Sequence, residues 1–252
     1  MHERSHSDEN HRSQDCSGKV AGRDSMKDDI LYLYDTMNRL YPGAYSVLLE
    51  SSRGNPIDVL VATILSQATN DTLSARAFTE LKSRFPDWES VLSQDPACVE
   101  EALACGGLHR EKTRKIRGAL GKIKEEFNEI TLDPLFDWTK ERSFEYLTSL
   151  PGVGPKTAAC VLVFGLGKPA FPVDTHILRV ARRLGFAGEK ESAASVQETF
   201  EQLVPEELKM PLHIMLIEHG RKVCSSRKPK CPLCPISDMC CFFQPPKASK
   251  TQ

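Results

Sequence analysis

The stretch that decides the fold is residues 150–176, LPGVGPKTAACVLVFGLGKPAFPVDTH. It is the most glycine- and proline-punctuated apolar run in the chain, with one amine, Lys156, near its start and one carboxylate, Asp174, near its end. The glycines of Gly152-Val153-Gly154 permit backbone angles that other residues avoid, and the helix expected to follow presents free N–H groups to the turn. The pattern predicts either a helix–hairpin–helix that favours a phosphate oxygen or an ordinary tight turn between two helices.

Lys156 falls in the first turn of that expected helix. A positive helix end and apolar surroundings both favour the neutral amine, which is a nucleophile able to form a Schiff base. The alternative is a lysine that extends to solvent or contacts a phosphate. Asp174 is predicted to cap a helix over residues 175–184, and a second, compatible role is to face the lysine and stabilise a developing positive charge.

Helical spacing of apolar residues extends on both sides of this stretch. Ile30, Leu33, Tyr34 and Met37 recur at helix spacing from Asp28 onward. Strand-like alternation is nearly absent, so the sequence predicts an all-α protein with short connections. Asn55-Pro56 is typical of a helix start, and that helix runs towards Ser66. Further helices are predicted at residues 72–84, 87–93, 97–104, 111–127, 143–149, 156–166, 175–184, 193–204 and 209–223.

Length and composition restrict the class of protein. The chain has 252 residues, 40% of them hydrophobic, and a net charge of −1. This is enough to build one large or two small domains. No apolar run reaches the length of a membrane span and residues 1–26 are polar, so we expect a soluble cytoplasmic protein with a disordered N-terminal arm and no membrane partner. Residues 244–252 are expected to be a flexible tail.

Positive charge is concentrated in two segments. Between Arg110 and Lys124, Glu111 is the one acid among seven basic residues, and between Arg221 and Lys250 the one acid is Asp238. Such segments indicate a local footprint for a polyanion, or two solvated helix faces.

Four of the nine cysteines are grouped near the C-terminus. Their spacing of six, two and five intervening residues predicts a metal or cluster site, since an intracellular chain rarely builds a disulfide framework. Spacing alone does not choose between zinc and iron–sulfur. Cys160 is expected to be a small core residue, and Cys241 is not expected to be a ligand. The four predicted ligands are Cys224, Cys231, Cys234 and Cys240.

Taken together, these motifs resemble the endonuclease III family of DNA glycosylases. The resemblance covers residues 28–241, nearly everything except the two tails. It is carried by residues 150–156 with 173–176, by LSQATND at residues 65–71, by GGL at 106–108, by HGR at 219–221 and by the four cysteines.

The resemblance implies two helical domains with a DNA cleft between them. One is a six-helix barrel, residues 47–168, that holds the helix–hairpin–helix. The other, residues 27–46 plus 169–243, carries a [4Fe–4S] cluster on the four cysteines.

The resemblance also implies a function in base excision repair. The enzyme would be a monomeric bifunctional DNA glycosylase and AP lyase that removes oxidised pyrimidines from bacterial or archaeal duplex DNA. Lys156 would attack C1′ of a flipped nucleotide and Asp174 would support the departure of the base. The damaged or abasic duplex would be contacted by Gln67, Leu108, Gly152, Gly154, Arg227, Lys228 and Lys230.

Three positions depart from the commonest pattern of that family. Pro155 stands where a basic residue is frequent, Ala159 where an asparagine is frequent and His109 where a tyrosine is frequent. They leave base preference open, so a T·G or U·G mismatch glycosylase is the near alternative. A non-catalytic helix–hairpin–helix DNA-binding protein and a redox or metal sensor are the alternatives from other classes, although neither needs the Lys156–Asp174 pair.

Overall fold

The structure, a computed structural model, describes residues 23–44 and 54–243. Over these residues the secondary structure is helical and contains no β-strand, so the prediction of an all-α protein is confirmed. The predicted tail and residues 1–22 of the predicted arm lie outside the described residues, as does the predicted domain junction near residue 47. None of the helices in the described part combines the length and apolarity that crossing a membrane requires.

Short connections join the helices, and two of them contain the 3₁₀ turns Ala104–Gly106 and Asp133–Phe136. A third 3₁₀ turn, Cys231–Leu233, follows the last helix. The first helix begins at Arg23, earlier than the predicted start at Asp28. In chain order the helices are α1 (Arg23–Leu40), α2 (Pro56–Ser66), α3 (Asp71–Arg84), α4 (Trp88–Ser93), α5 (Pro96–Ala102), α6 (His109–Phe127), α7 (Lys140–Ser149), α8 (Pro155–Cys160), α9 (Thr175–Leu184), α10 (Ala193–Leu203) and α11 (Glu206–Lys222).

Side-chain caps set several of the helix starts. Asn55 Oδ1 accepts a hydrogen bond from Ile57 N at 2.8 Å with Pro56 in the first helical position, as the sequence predicts. Helix α7 starts earlier than predicted because Thr139 caps it through Arg142 N. Helix α11 likewise begins at Glu206 and continues through Pro211.

Two hydrophobic cores are present. The first is built from α2 to α8 and extends from Ile57 to Ala170. The second is built from α1 and α9 to α11, together with Ile236. The chain passes from one core to the other between Ala170 and Phe171. The predicted division into residues 47–168 and 27–46 plus 169–243 stays a prediction.

Helix α8 is shorter than the helix predicted over residues 156–166. After Cys160 the chain continues as a π-helical turn, Val161–Gly165. A Cβ atom on Gly165 would lie 3.0 Å from the Cα atom of Pro56, so this turn packs directly on the start of α2. A π turn changes the direction of the residues that follow it. The close approach therefore helps fix where the segment leading to Asp174 leaves the first core.

We predict that Gly165→Ala lowers the free energy of unfolding by about 1–3 kcal/mol, because the added methyl group pushes the π turn away from Pro56. Equilibrium denaturation followed by circular dichroism measures the change.

Gly121→Ala in α6 is the matched control. A Cβ atom there meets nothing within 4 Å, and alanine is the better helix former by up to about 1 kcal/mol, so this variant should be neutral or more stable. Equal stability of Gly165→Ala and the parent protein would contradict the packing argument.

Candidate active site

The hairpin turn between α7 and α8 requires glycine at its centre. Gly152 has φ +76°, and a Cβ atom there would lie 2.5 Å from Cγ of Lys115 on α6. Val153 anchors the turn, since it is 6% exposed and its N–H donates to Leu150 O at 3.1 Å. Gly154 precedes α8 and offers no side-chain cap to its first amides. The predicted helix–hairpin–helix geometry is therefore present.

Lys156 is half-buried in the first turn of α8, and its amine lies beside Cys160, one turn further along. Burial raises the pKa of the Cys160 thiol, whereas the charge of Lys156 and a hydrogen bond between the two side chains lower it. The charge of Asp174 acts on the same thiol and raises its pKa. The structure therefore brings Lys156 and Asp174, 18 positions apart in the printed sequence, to the same buried neighbour.

Asp174 caps α9, as predicted. Its Oδ1 accepts a hydrogen bond from Ile177 N at 2.8 Å, and its backbone is extended with φ −98°. An anion at this helix start is stabilised by the helix dipole. The cap fixes the position of the carboxylate, whose charge acts on the Cys160 thiol as the charge of Lys156 does. The two predicted roles of Asp174 are therefore compatible in this structure.

His213 on α11 is a member of the site that the sequence analysis missed. Its ring is 3% exposed, and Nδ1 lies 2.8 Å from Pro172 O. Because a carbonyl oxygen only accepts, Nδ1 carries the proton. The pKa of His213 is lowered to about 4, mainly by burial; the charge of Asp174 and the hydrogen bond with Pro172 oppose this effect, and the charge of Lys156 adds to it. His213 is thus a neutral group whose pKa depends on the charges of both predicted catalytic residues.

Gln67 lies against the hairpin turn. Its Nε2 donates to Gly152 O at 3.1 Å and approaches Thr157 Oγ1 at 3.3 Å. Its Oε1 accepts a hydrogen bond from Lys115 Nζ at 2.9 Å, and that amine also pairs with Glu111 at 2.6 Å. Gln67 is therefore next to the residue that follows Lys156.

Leu108 occupies an exposed and conformationally constrained position. Its side chain is 54% exposed and its backbone is left-handed, with φ +49°. The buried side chain of Lys112 holds this loop, because its Nζ donates to Gly106 O at 2.9 Å. A left-handed leucine is uncommon, so the loop around it must hold it there.

The four predicted cysteine ligands lie together. All of them line one cavity of ≈ 20 Å³ with Arg183, whose Nη1 lies 3.2 Å from Cys224 Sγ. The pKa of Cys234 is raised to about 11, mainly by burial and in smaller part by negative charge on the neighbouring cysteines. In the described part of the chain, no group of three or more His, Cys, Asp or Glu side chains is arranged to hold a single metal ion. The sulfur atoms instead surround a shared space.

Helix α9 connects the cysteines to Asp174. Arg179 Nε donates to Cys224 O at 2.9 Å, and Arg183 donates to Ser225 O at 2.9 Å. The loop between the first two cysteines is thereby fastened to the helix that Asp174 caps. Its predicted DNA-contacting residues, Arg227, Lys228 and Lys230, are all exposed.

Comparison with known proteins places this geometry in a family. The model of the HhH-GPD superfamily of base excision DNA repair proteins matches residues 61–206. Endonuclease III of Sulfolobus acidocaldarius is 36% identical over 191 residues, 75% of this chain and 83% of that protein. A putative DNA glycosylase of Arabidopsis thaliana is 36% identical over 181 residues, 72% of this chain, and the chain spans 61% of that relative's length.

Two solved structures extend the comparison. A trapped endonuclease III–DNA covalent intermediate with an estranged adenine has a TM-score of 0.73 and 30% identity, over 85% of this chain and 95% of that one. A thermostable thymine-DNA glycosylase has a TM-score of 0.67 and 22% identity, over 90% and 98%, which is a likeness of fold alone. The chain therefore belongs to the HhH-GPD superfamily of base excision DNA repair proteins and, within it, to the endonuclease III-like DNA glycosylases and AP lyases.

Proposed function

We propose that this protein is a bifunctional DNA glycosylase and AP lyase that removes oxidised pyrimidines from duplex DNA, with Lys156 as nucleophile and Asp174 as its partner. The observation that carries the proposal is that the charges of Lys156 and Asp174 both act on the buried Cys160 thiol and on the buried His213 ring, and that Lys156 is hydrogen-bonded to Cys160. A half-buried amine beside a fixed carboxylate is the arrangement that imine chemistry requires. The relation to endonuclease III supports it.

The proposed reaction begins with attack by the amine of Lys156. Its lone pair forms a bond to C1′ of a flipped-out nucleotide, and the bond from C1′ to the base breaks, so that the base leaves with the electron pair. The amine then loses a proton to water, and the C1′–O4′ bond breaks to give a protonated imine while O4′ takes up a proton and becomes a hydroxyl group. Water accepts a proton from C2′, the C3′–O bond breaks, and the 3′ phosphate leaves with the electron pair, which nicks the strand. Asp174, whose carboxylate caps the start of α9, stabilises the positive charge that develops during these steps.

The surroundings of Lys156 suit a kinked duplex. We assign the amides of Gly152 and Gly154 to a backbone phosphate near the lesion. We assign Leu108 and Gln67 to the gap left by the flipped nucleotide, since Leu108 is 54% exposed on a constrained loop and Gln67 lies beside the turn. The exposed Arg227, Lys228 and Lys230 would contact phosphates further along the DNA.

We further propose that the four cysteines hold a [4Fe–4S] cluster. The fit rests on the donor set, because four thiols line a single cavity and Arg183 lies against it to offset their negative charge. When bound, the cluster would supply a rigid anchor for the basic loop. The chemistry at C1′ is assigned to Lys156 and Asp174 alone.

The proposal for the setting is a monomer that acts on DNA in the cytoplasm of a bacterium or an archaeon. Endonuclease III relatives from Sulfolobus acidocaldarius and Synechocystis support such a source, although a relative also occurs in Arabidopsis thaliana.

Borohydride trapping tests the nucleophile. Wild-type protein incubated with duplexes that carry thymine glycol or an abasic site should form a covalent adduct on reduction. Lys156→Gln should lower adduct formation by at least about 100-fold, because the covalent route is lost. Lys190→Gln, which alters an exposed lysine between α9 and α10, is the matched control and should trap normally.

The choice of duplex separates the candidate substrates. Base release from thymine glycol but not from T·G or U·G mismatches supports oxidised pyrimidines, and the reverse supports a mismatch glycosylase. Absence of an adduct on every duplex, with folded wild-type protein, would overturn the lyase assignment.

Metal analysis tests the cluster. Wild-type protein purified without oxygen should carry about four iron and four sulfide per chain, and Cys231→Ser should lose most of both. Cys98→Ser, an exposed cysteine on α5, should retain them. One zinc ion per chain in place of iron would contradict the assignment.

A further inference from the structure

Gln197 on α10 lies between the two segments that carry Lys156 and Asp174. Its side chain is buried, with 4% exposed. Nε2 donates to Pro155 O at 3.2 Å, on the residue just before Lys156. Oε1 accepts from Val173 N at 3.4 Å, on the residue just before Asp174. One amide group therefore spans the two walls of the site.

The other fully buried residues of α10 are apolar, which makes this amide unusual there. Val196, Phe200 and Leu203 on the same helix are all buried in the second core. A buried amide costs free energy unless both of its ends are bonded. The carbonyl of Pro155 can only accept and the amide of Val173 can only donate, so the two contacts also fix which way round the side-chain amide of Gln197 lies.

Neighbouring side chains hold the same loop but do not span the site in this way. Glu201, one turn further along α10, accepts from Phe171 N at 2.6 Å and pairs with the buried Lys209 at 2.6 Å. His213 donates to Pro172 O. These contacts attach the loop to the second core. The contact of Gln197 with Pro155 additionally ties the start of α8 to that loop.

We propose that Gln197 is a positioning residue that sets the separation between the Lys156 amine and the Asp174 carboxylate by bridging Pro155 and Val173. The two catalytic groups sit on elements of different hydrophobic cores, so their spacing depends on contacts across the boundary. A shift of about 1 Å in a reacting group can cost about 100-fold in rate. The inference rests on the proposed function, because the spacing matters for imine formation.

Single-turnover imine formation on an abasic-site duplex is the direct test, since this substrate bypasses base recognition. Gln197→Met keeps the length of the side chain but removes both hydrogen bonds. Gln197→Glu keeps an acceptor for Val173 N and sets a carboxylate oxygen against Pro155 O. We expect both variants to trap about 10- to 100-fold more slowly, with the dissociation constant for the DNA within about twofold of wild type.

Glu198→Met is the matched control, because it alters the adjacent, exposed position of the same helix and should trap at the wild-type rate. Rates are referred to the fraction of folded protein from circular dichroism, so that a loss of stability is not counted as a loss of positioning. If Gln197→Met alone is poorly folded, Gln197→Glu supplies the comparison.

The outcomes distinguish the two proposals. Trapping by wild type together with an unchanged rate in Gln197→Met and Gln197→Glu would overturn the role of Gln197 and leave the proposed function standing. A slower rate explained fully by weaker DNA binding would also overturn it. Failure of the wild-type protein to form an adduct would overturn the proposed function, and the role of Gln197 with it.

Discussion

The buried backbone between Phe171 and Asp174 must find hydrogen-bond partners outside regular secondary structure, and this requirement organises the site. The segment crosses from one hydrophobic core to the other, where water cannot satisfy its polar groups. Side chains of α10 and α11 satisfy them instead. Glu201 accepts a hydrogen bond from Phe171 N, and Gln197 accepts one from Val173 N. His213 donates to Pro172 O. Each bond that satisfies the segment also places Asp174.

The same helix then carries the constraint to the cysteines. Helix α9 starts with the carboxylate of Asp174 and presents Arg179 and Arg183 to the cysteine-bearing loop. Gly220 permits helix α11 to lie close to helix α9, because a Cβ atom on Gly220 would lie 2.9 Å from Cβ of His176. The Nδ1 atom of His176 lies 3.1 Å from Arg179 Nη2. The carboxylate of Asp174 and the basic loop are thus both attached to helix α9.

Features encoded by neighbouring residues were predictable from the sequence. The caps at Asn55 and Asp174 and the glycine turn at Gly152 are local patterns, and the structure contains them. The roles of Gln197 and His213 were not predictable, since their partners lie 42 and 41 residues away. A glutamine on an otherwise apolar helix face and a histidine between Leu212 and Ile214 were the available signals, but neither indicates a partner. The π turn after Cys160 was also missed, and the residue against which it packs, Pro56, lies far away in the sequence.

We propose that the amine of Lys156, rather than that of another basic residue near the hairpin, attacks C1′ of the sugar. Lys115 is the strongest competitor, since its side chain crosses Gly152 and its amine bonds Gln67. Mass spectrometry of peptides from the reduced wild-type adduct, after nuclease and protease digestion, distinguishes the two lysines directly. We expect a sugar remnant on the peptide that contains Lys156. A remnant on Lys115, with Lys156 unmodified, would contradict it.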